Sequence, residues 1–165
     1  MNKKSVLTLG FLVFFVGALV ISQSIAQETT SHVGSAYKLG VIKGLLFSPV
    51  TLATAIRTSL ANDVRAGTCG LAYYHGLLRL AIEGGRGFSE ALSELADSDV
   101  FNGDDAEDEL EELSDDIEGV MNNAEELLEE GAEHVLVLIA LRDLATFFED
   151  DVQDKLERIA REYSE

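Results

Sequence analysis

Glu130 and His134 stand four residues apart. On one helix that spacing puts a carboxylate and an imidazole on the same face, where both can reach a single divalent metal ion. The chemistry stops there. A di-iron bundle needs Glu-x-x-His on two helices, and that motif is absent. Zinc needs three or four nitrogen or sulfur ligands, whereas His32, His75, His134 and Cys69 are scattered along the chain. Cys69 and His75, six apart on a helix, point about 120° away from each other and make no nucleophile–base pair. Asp97, Asp99, Asn102 and Asp104 have the composition of a calcium loop. Phe101, however, occupies a ligand position and Gly103 arrives one place late. Gly84-Gly85-Arg86-Gly87 follows no strand and reads as a helix stop, not a phosphate cradle. The expectation is a protein that is not an enzyme and holds no cofactor. Glu130 and His134 are kept as weak metal candidates, and a metal-dependent enzyme centred on them is the third choice.

Charge is distributed more tellingly than its net value of −18. Residues 87–165 carry 27 acids against four bases, and no Lys or Arg falls between Arg86 and Arg142. Such a surface repels nucleic-acid phosphates and anionic headgroups. The expected partner is therefore a protein, of basic character, or a second copy of the chain, and not a nucleic acid.

The first 26 residues read as an address. Lys3 and Lys4 precede an uncharged run from Val6 to Ile21, and Ser24-Ile25-Ala26 offers small residues for a cut before Gln27. That is the layout of a signal peptide. Its rival is an uncleaved anchor, in which residues 6–26 are the membrane contact. Both place the remaining chain outside the cytoplasm, in the periplasm or secreted. Cys69, a lone cysteine in an oxidising compartment, has no internal partner. It is either a small buried hydrophobe or a link between chains.

The elements that must position these residues are helical. One proline, no tryptophan and 47% hydrophobic content favour an all-α bundle of about five to six helices. Ala36, Gly40, Gly44 and Ser48 form a stripe of small residues suited to close helix packing. Ser48-Pro49 predicts a helix start, and Leu52, Ala53, Ile56, Leu60 and Val64 give that helix one apolar face. A third helix is expected from Cys69 to Glu83, closed by Gly84 and Gly85, and a short one capped by Ser89. VLVLIAL (135–141) is apolar on every side and predicts a central, buried helix over 133–149. A final helix capped by Asp151 would run to about Glu162.

Between them lies DDAEDELEELSDDIEGVMNNAEELLEE (104–130), in which fourteen of 27 positions are acidic. With Leu110 placed at heptad position a, the a and d positions become Leu110, Leu113, Ile117, Val120, Ala124 and Leu127; Met121 and Leu128 fall at e. Thirteen of the fourteen acids avoid that seam. The pattern is a long, coiled-coil-like amphipathic helix with a solvated acidic back. Its seam, carried by Leu110, Leu113, Ile117, Val120, Met121, Leu127 and Leu128, is the expected partner-binding surface.

CGLAYYHGLLRLAIEGGRGFSEAL (69–92) resembles the Cys…Tyr-x-x-Gly helix and following helix of the Rap1a/Tai family of small periplasmic immunity proteins, with Tyr73 and Gly76 at the matching positions. The resemblance implies an exported helical protein that neutralises a toxin. The chain departs from the pattern in a longer Cys-to-Tyr spacing, in lacking the partner cysteines, and in its acidic half.

The sequence thus reads as residues 1–26 of targeting segment, a near-neutral helical half over 27–98 and an acidic helical half over 99–165, the two halves forming one domain. The expected function is binding or scaffolding in the cell envelope or outside the cell. The alternative is a periplasmic inhibitor of a basic toxin.

Overall fold

Helix formers fill this chain, and helix is what they form. A computed structural model describes residues 34–66 and 70–163; residues 1–26, expected as a targeting segment, and Cys69 lie outside them. Among the described residues every regular element is helical and none is a strand. They are α1 (Ser35–Leu45), α2 (Phe47–Ala66), α3 (Leu71–Ala96), α4 (Asp105–Glu129), α5 (His134–Thr146), a π-helical segment (Phe147–Val152) and α6 (Gln153–Glu162).

Two joints are softer than the sequence predicts. Pro49 has no N–H to give the carbonyl of Leu45, so the ladder breaks at Leu46, a single residue that keeps right-handed helical angles. Ser48 therefore lies inside α2 instead of capping it, and α1 and α2 form one kinked rod. Likewise Asp151 caps nothing: it is exposed within the π segment, which carries α5 into α6 without a stop. Phe148 and Val152, four residues apart within it, both face inward.

Ion pairs and ring contacts give the directions. Arg57 meets Glu149 at 2.5 Å, and Lys38 lies 5.6 Å from the Tyr163 ring, so the first and last rods run antiparallel. Arg86 reaches Glu125 at 2.5 Å while Ser89 reaches Ser114, so α3 and α4 are antiparallel too. Lys155 with Asp116 and Arg158 with Glu109 set α4 against α6 in the same sense. Four helical rods thus pack up-down-up-down around one core, with Phe101, Leu110, Leu141, Phe148 and Leu156 fully buried.

The helix expected to stop at Gly84 and Gly85 runs on through both to Ala96. Gly85 is buried at the α3–α4 crossing, where a Cβ would sit 2.3 Å from the Met121 sulfur. Glycine is needed there for close approach, not for a turn. One turn on, Ser89 likewise is no cap. Its hydroxyl lies 2.8 Å from the Ser114 hydroxyl and 3.0 Å from the Ser114 carbonyl, and Ser114 donates back to the Ser89 carbonyl at 2.9 Å. Two small buried polar residues thereby satisfy each other.

The bundle has two differently finished ends. At one, the 97–104 loop tucks Phe101 into the core. Asp104 caps α4, accepting from the Ala106 N–H at 3.4 Å, and Glu107 accepts from the N–H of Gly103, whose φ is +74°. At the other, α4 ends in a Schellman turn: Gly131, with φ +68°, donates to Leu128 at 3.2 Å, and Ala132 donates to Leu127 at 3.0 Å.

Candidate functional site

The apolar seam of α4 is occupied from within. Leu110, Leu113, Ile117 and Met121 are fully buried, while Val120, Leu127 and Leu128 are half-buried against the same core. As a surface for a partner helix this seam is unavailable, because α3 and the last rod already cover it. An amphipathic face records that something is buried there; it does not say whether the cover is another chain or the same one.

Glu130 and His134 are separated by the Schellman turn, so they never share one helical face. Glu130 is exposed beyond the end of α4, and His134 opens α5 with its ring 4.8 Å from Tyr74. His75 spends its Nε2 on the Ala132 carbonyl at 3.2 Å. Both histidines brace this end of the bundle. Among the described residues no group of three or more His, Cys, Asp or Glu is placed to hold a metal ion.

The acidic back of α4 divides into flanks and a crest. On the flanks, Glu125 takes Arg86, which also donates to Asn122 at 2.8 Å. Lys155 bridges Glu112 at 3.2 Å and Asp116 at 2.6 Å, and Arg158 reaches Glu109 at 3.2 Å. The hydrogen bond that Lys155 donates to Asp116 leads the causes that raise the Lys155 pKa, and the bond Glu125 accepts from Arg86 leads those that lower Glu125. On the crest, Asp108, Glu111, Asp115, Glu118, Glu126 and Glu129 are exposed, and none forms an ion pair among the described residues.

The closed end joins three elements. Lys38 of α1 pairs with Asp104 and lies 5.6 Å from the rings of both Phe101 and Tyr163. Burial acts to raise the Asp104 pKa, but Lys38, the nearby Tyr163 hydroxyl and the Ala106 amide outweigh it and hold the carboxyl below its ordinary value. The Tyr163 hydroxyl is buried without a hydrogen bond of normal geometry. Burial first, and the Asp104 carboxylate second, push its pKa upward. Near this end an open groove of about 510 Å³ is lined by Lys43, Leu46, Phe47, Glu157, Ala160 and Arg161.

Phe47 and Val50 of α2 and Leu80 of α3 are exposed, but five of the eight exposed large apolar side chains among the described residues lie at the opposite end. Helix α5, expected at the centre of the bundle, lies at its edge. Val137, Ala140, Leu141, Leu144 and Ala145 face inward, whereas Val135, Leu136 and Ile139 are 63%, 49% and 46% exposed. At 100° per residue the exposed trio lies diametrically opposite the buried set. Leu71 and Tyr73, at the start of α3, are exposed at the same end. They are joined to α5 through the Tyr73–Tyr74 ring contact at 5.4 Å and the Tyr74–His134 contact. Glu129, Glu130 and Glu133 rim this tip, all exposed. The sequence carried the signal: a run of seven apolar residues faces all directions of a helix, and a rod at the edge of a four-rod bundle can bury only part of its circumference.

Comparison with known proteins gives no match, whether to a family model, a curated protein or a solved structure.

Proposed function

We propose that the chain is an exported, non-enzymatic helical protein of about five to six helices that binds or scaffolds another protein in the cell envelope or outside the cell. Residues 1–26 act as its signal peptide or, uncut, as its anchor. The observation that carries the binding reading is the uncovered apolar tip, with Val135, Leu136 and Ile139 aligned on one face of α5. Three large apolar side chains exposed on one helical face, with exposed Leu71 and Tyr73 at the same end of the bundle, are the usual mark of an interaction site.

The test is a mild, non-reducing purification from the native envelope fraction, read by intact mass. A partner in fixed ratio, lost when Leu136→Ser is introduced, supports the reading. A bare monomer from every fraction contradicts it. The same spectrum distinguishes a chain beginning at Gln27 from one beginning at Met1. The unpaired acidic crest of α4 favours a second reading, an inhibitor of a basic toxin enzyme. It predicts that the captured partner is an enzyme whose activity falls in proportion to the chain added.

A further inference from the structure

We infer that the bundle tip receives a cationic amphipathic helix, its apolar face laid on Val135, Leu136 and Ile139 of α5 and on Leu71 and Tyr73 of α3, with its Lys or Arg residues over Glu129, Glu130 and Glu133. The inference rests on the binding function just proposed and adds the chemistry of the partner.

The shape of the surface comes first. Val135, Leu136 and Ile139 recur at i, i+1 and i+4 on one exposed helical face, which forms a shallow ridge. The ring contacts Tyr73–Tyr74 and Tyr74–His134 place the exposed start of α3 beside the start of α5, at the same end of the bundle. His134 and His75 are both engaged in bracing it, and this holds the two segments in register. A helix presenting apolar residues at i, i+3 and i+4 matches a surface of this length.

The rim then selects among occupants. Glu129 and Glu130 end α4 and Glu133 precedes α5, and none of the three has an ion-pair partner among the described residues. Glu126, one turn earlier on α4, extends the negative field. Arg142 and Asp143, exposed one turn beyond Ile139 on the same face of α5, add no net charge. A second copy meeting this tip symmetrically would set the two acidic rims against each other. An anionic bilayer would meet the same repulsion. A partner helix with basic residues flanking its apolar face turns both features into attraction, the apolar contact supplying affinity and the rim supplying orientation and rate.

Three fluorescent peptides of about eighteen residues test this against the chain in its exported form. One carries Leu at i, i+3, i+4 and i+7 with Lys on its flanks. The second replaces every Lys by Glu. The third has the composition of the first with the leucines dispersed. The Lys peptide should bind with one-to-one stoichiometry, the Glu peptide at least a hundredfold more weakly, and the dispersed peptide at least tenfold more weakly. Val135→Ser with Ile139→Ser should weaken the Lys peptide at least tenfold while leaving the circular dichroism and melting temperature in place. Glu129→Gln, Glu130→Gln and Glu133→Gln together should weaken it severalfold and flatten its salt dependence.

Equal binding of the dispersed peptide, or binding indifferent to the tip variants, would overturn the inference in favour of the acidic crest of α4. Failure of every peptide would overturn it outright. Self-association or capture by lipid vesicles that Leu136→Ser abolishes would replace the occupant. A tip-dependent envelope partner with no basic helix would leave the binding function standing and remove only this inference.

Discussion

The two ends of the bundle handle the same difficulty in opposite ways. Each must cover the apolar residues that lie beyond the last full turns of packed helix. The closed end folds Phe101 inward, lays Tyr163 against it with ring centroids 6.0 Å apart, and seats the Lys38 ammonium over both rings in a pair with Asp104. Loop, first rod and last rod are tied at one point. The open end finishes its turn with Gly131 and braces its histidines, then leaves Val135, Leu136 and Ile139 in water. Among the described residues, the eight-residue 97–104 loop and Tyr163 cover one end, and the turn after α4 closes the other. The first end ties three segments together, and the second leaves large apolar side chains exposed.

The largest contrast between the ends should appear on truncation. Phe101→Ala removes a fully buried ring and should cost about 3–5 kcal/mol, read as a fall in urea midpoint with an unchanged slope. Leu136→Ala at the tip should change stability by no more than about 0.5 kcal/mol, as for any surface site away from special features. A comparable loss at Leu136 would mean that the tip is packed.

Two glycines of α3 sharpen the picture of the crossing that lies between the ends. Gly85→Ala forces a methyl group into Met121 and should destabilise by about 1–3 kcal/mol in spite of the better helix former. Gly76→Ala meets nothing within 4 Å and should stabilise by about 0.5–1 kcal/mol. Equal effects at the two positions would break the assignment of Gly85 to close helix approach.

Acid and alkali should both loosen the closed end. The Asp104 pKa is lowered in the fold, so its contribution is present above the ordinary carboxylate range and is lost as pH falls through the lower folded value. The Tyr163 pKa is raised, so its contribution holds below the ordinary phenol value of about 10 and fades as pH climbs beyond it. Melting temperature against pH should lose its acid slope in part in Asp104→Asn and its alkaline slope in part in Tyr163→Phe. A wild-type profile unchanged by both variants would disconnect these groups from folding.

The smallest effect concerns salt. Neighbours such as Glu111 and Asp115 on the exposed crest repel by a few tenths of a kcal/mol per pair. Between 0.02 and about 0.5 M NaCl the screening length falls well below 10 Å, and the melting temperature should rise by a few degrees. A fall would show that the flanking ion pairs of Lys155, Arg158 and Arg86 outweigh the crest.

How far the sequence could be read followed from how local each signal is. Helical content, the break at Gly131 and the seam of α4 rest on periodicity and a cap, which act within a few residues. Gly84-Gly85 and Ser89 misled because their roles are set by residues about thirty positions away. Gly85 faces Met121 and Ser89 faces Ser114, and nothing near them in the chain distinguishes a crossing from a stop. The same limit hid the closed end: Lys38, Phe101, Asp104 and Tyr163 come from three distant segments with no shared pattern. The tip was half legible. The all-round apolar run announced excess hydrophobic surface, but whether the bundle would enclose it depended on how many rods surround α5.

Hydroxyl-radical footprinting of the chain, purified and then in the envelope where the proposed function places it, tests the central claim most directly. In the purified protein Val135, Leu136, Ile139 and Tyr73 should be modified readily while Met121, intrinsically far more reactive, stays protected. In the envelope the tip should become protected as well, with Met121 unchanged. Ready oxidation of Met121 in the purified chain, or a tip equally reactive in both settings, would contradict the account.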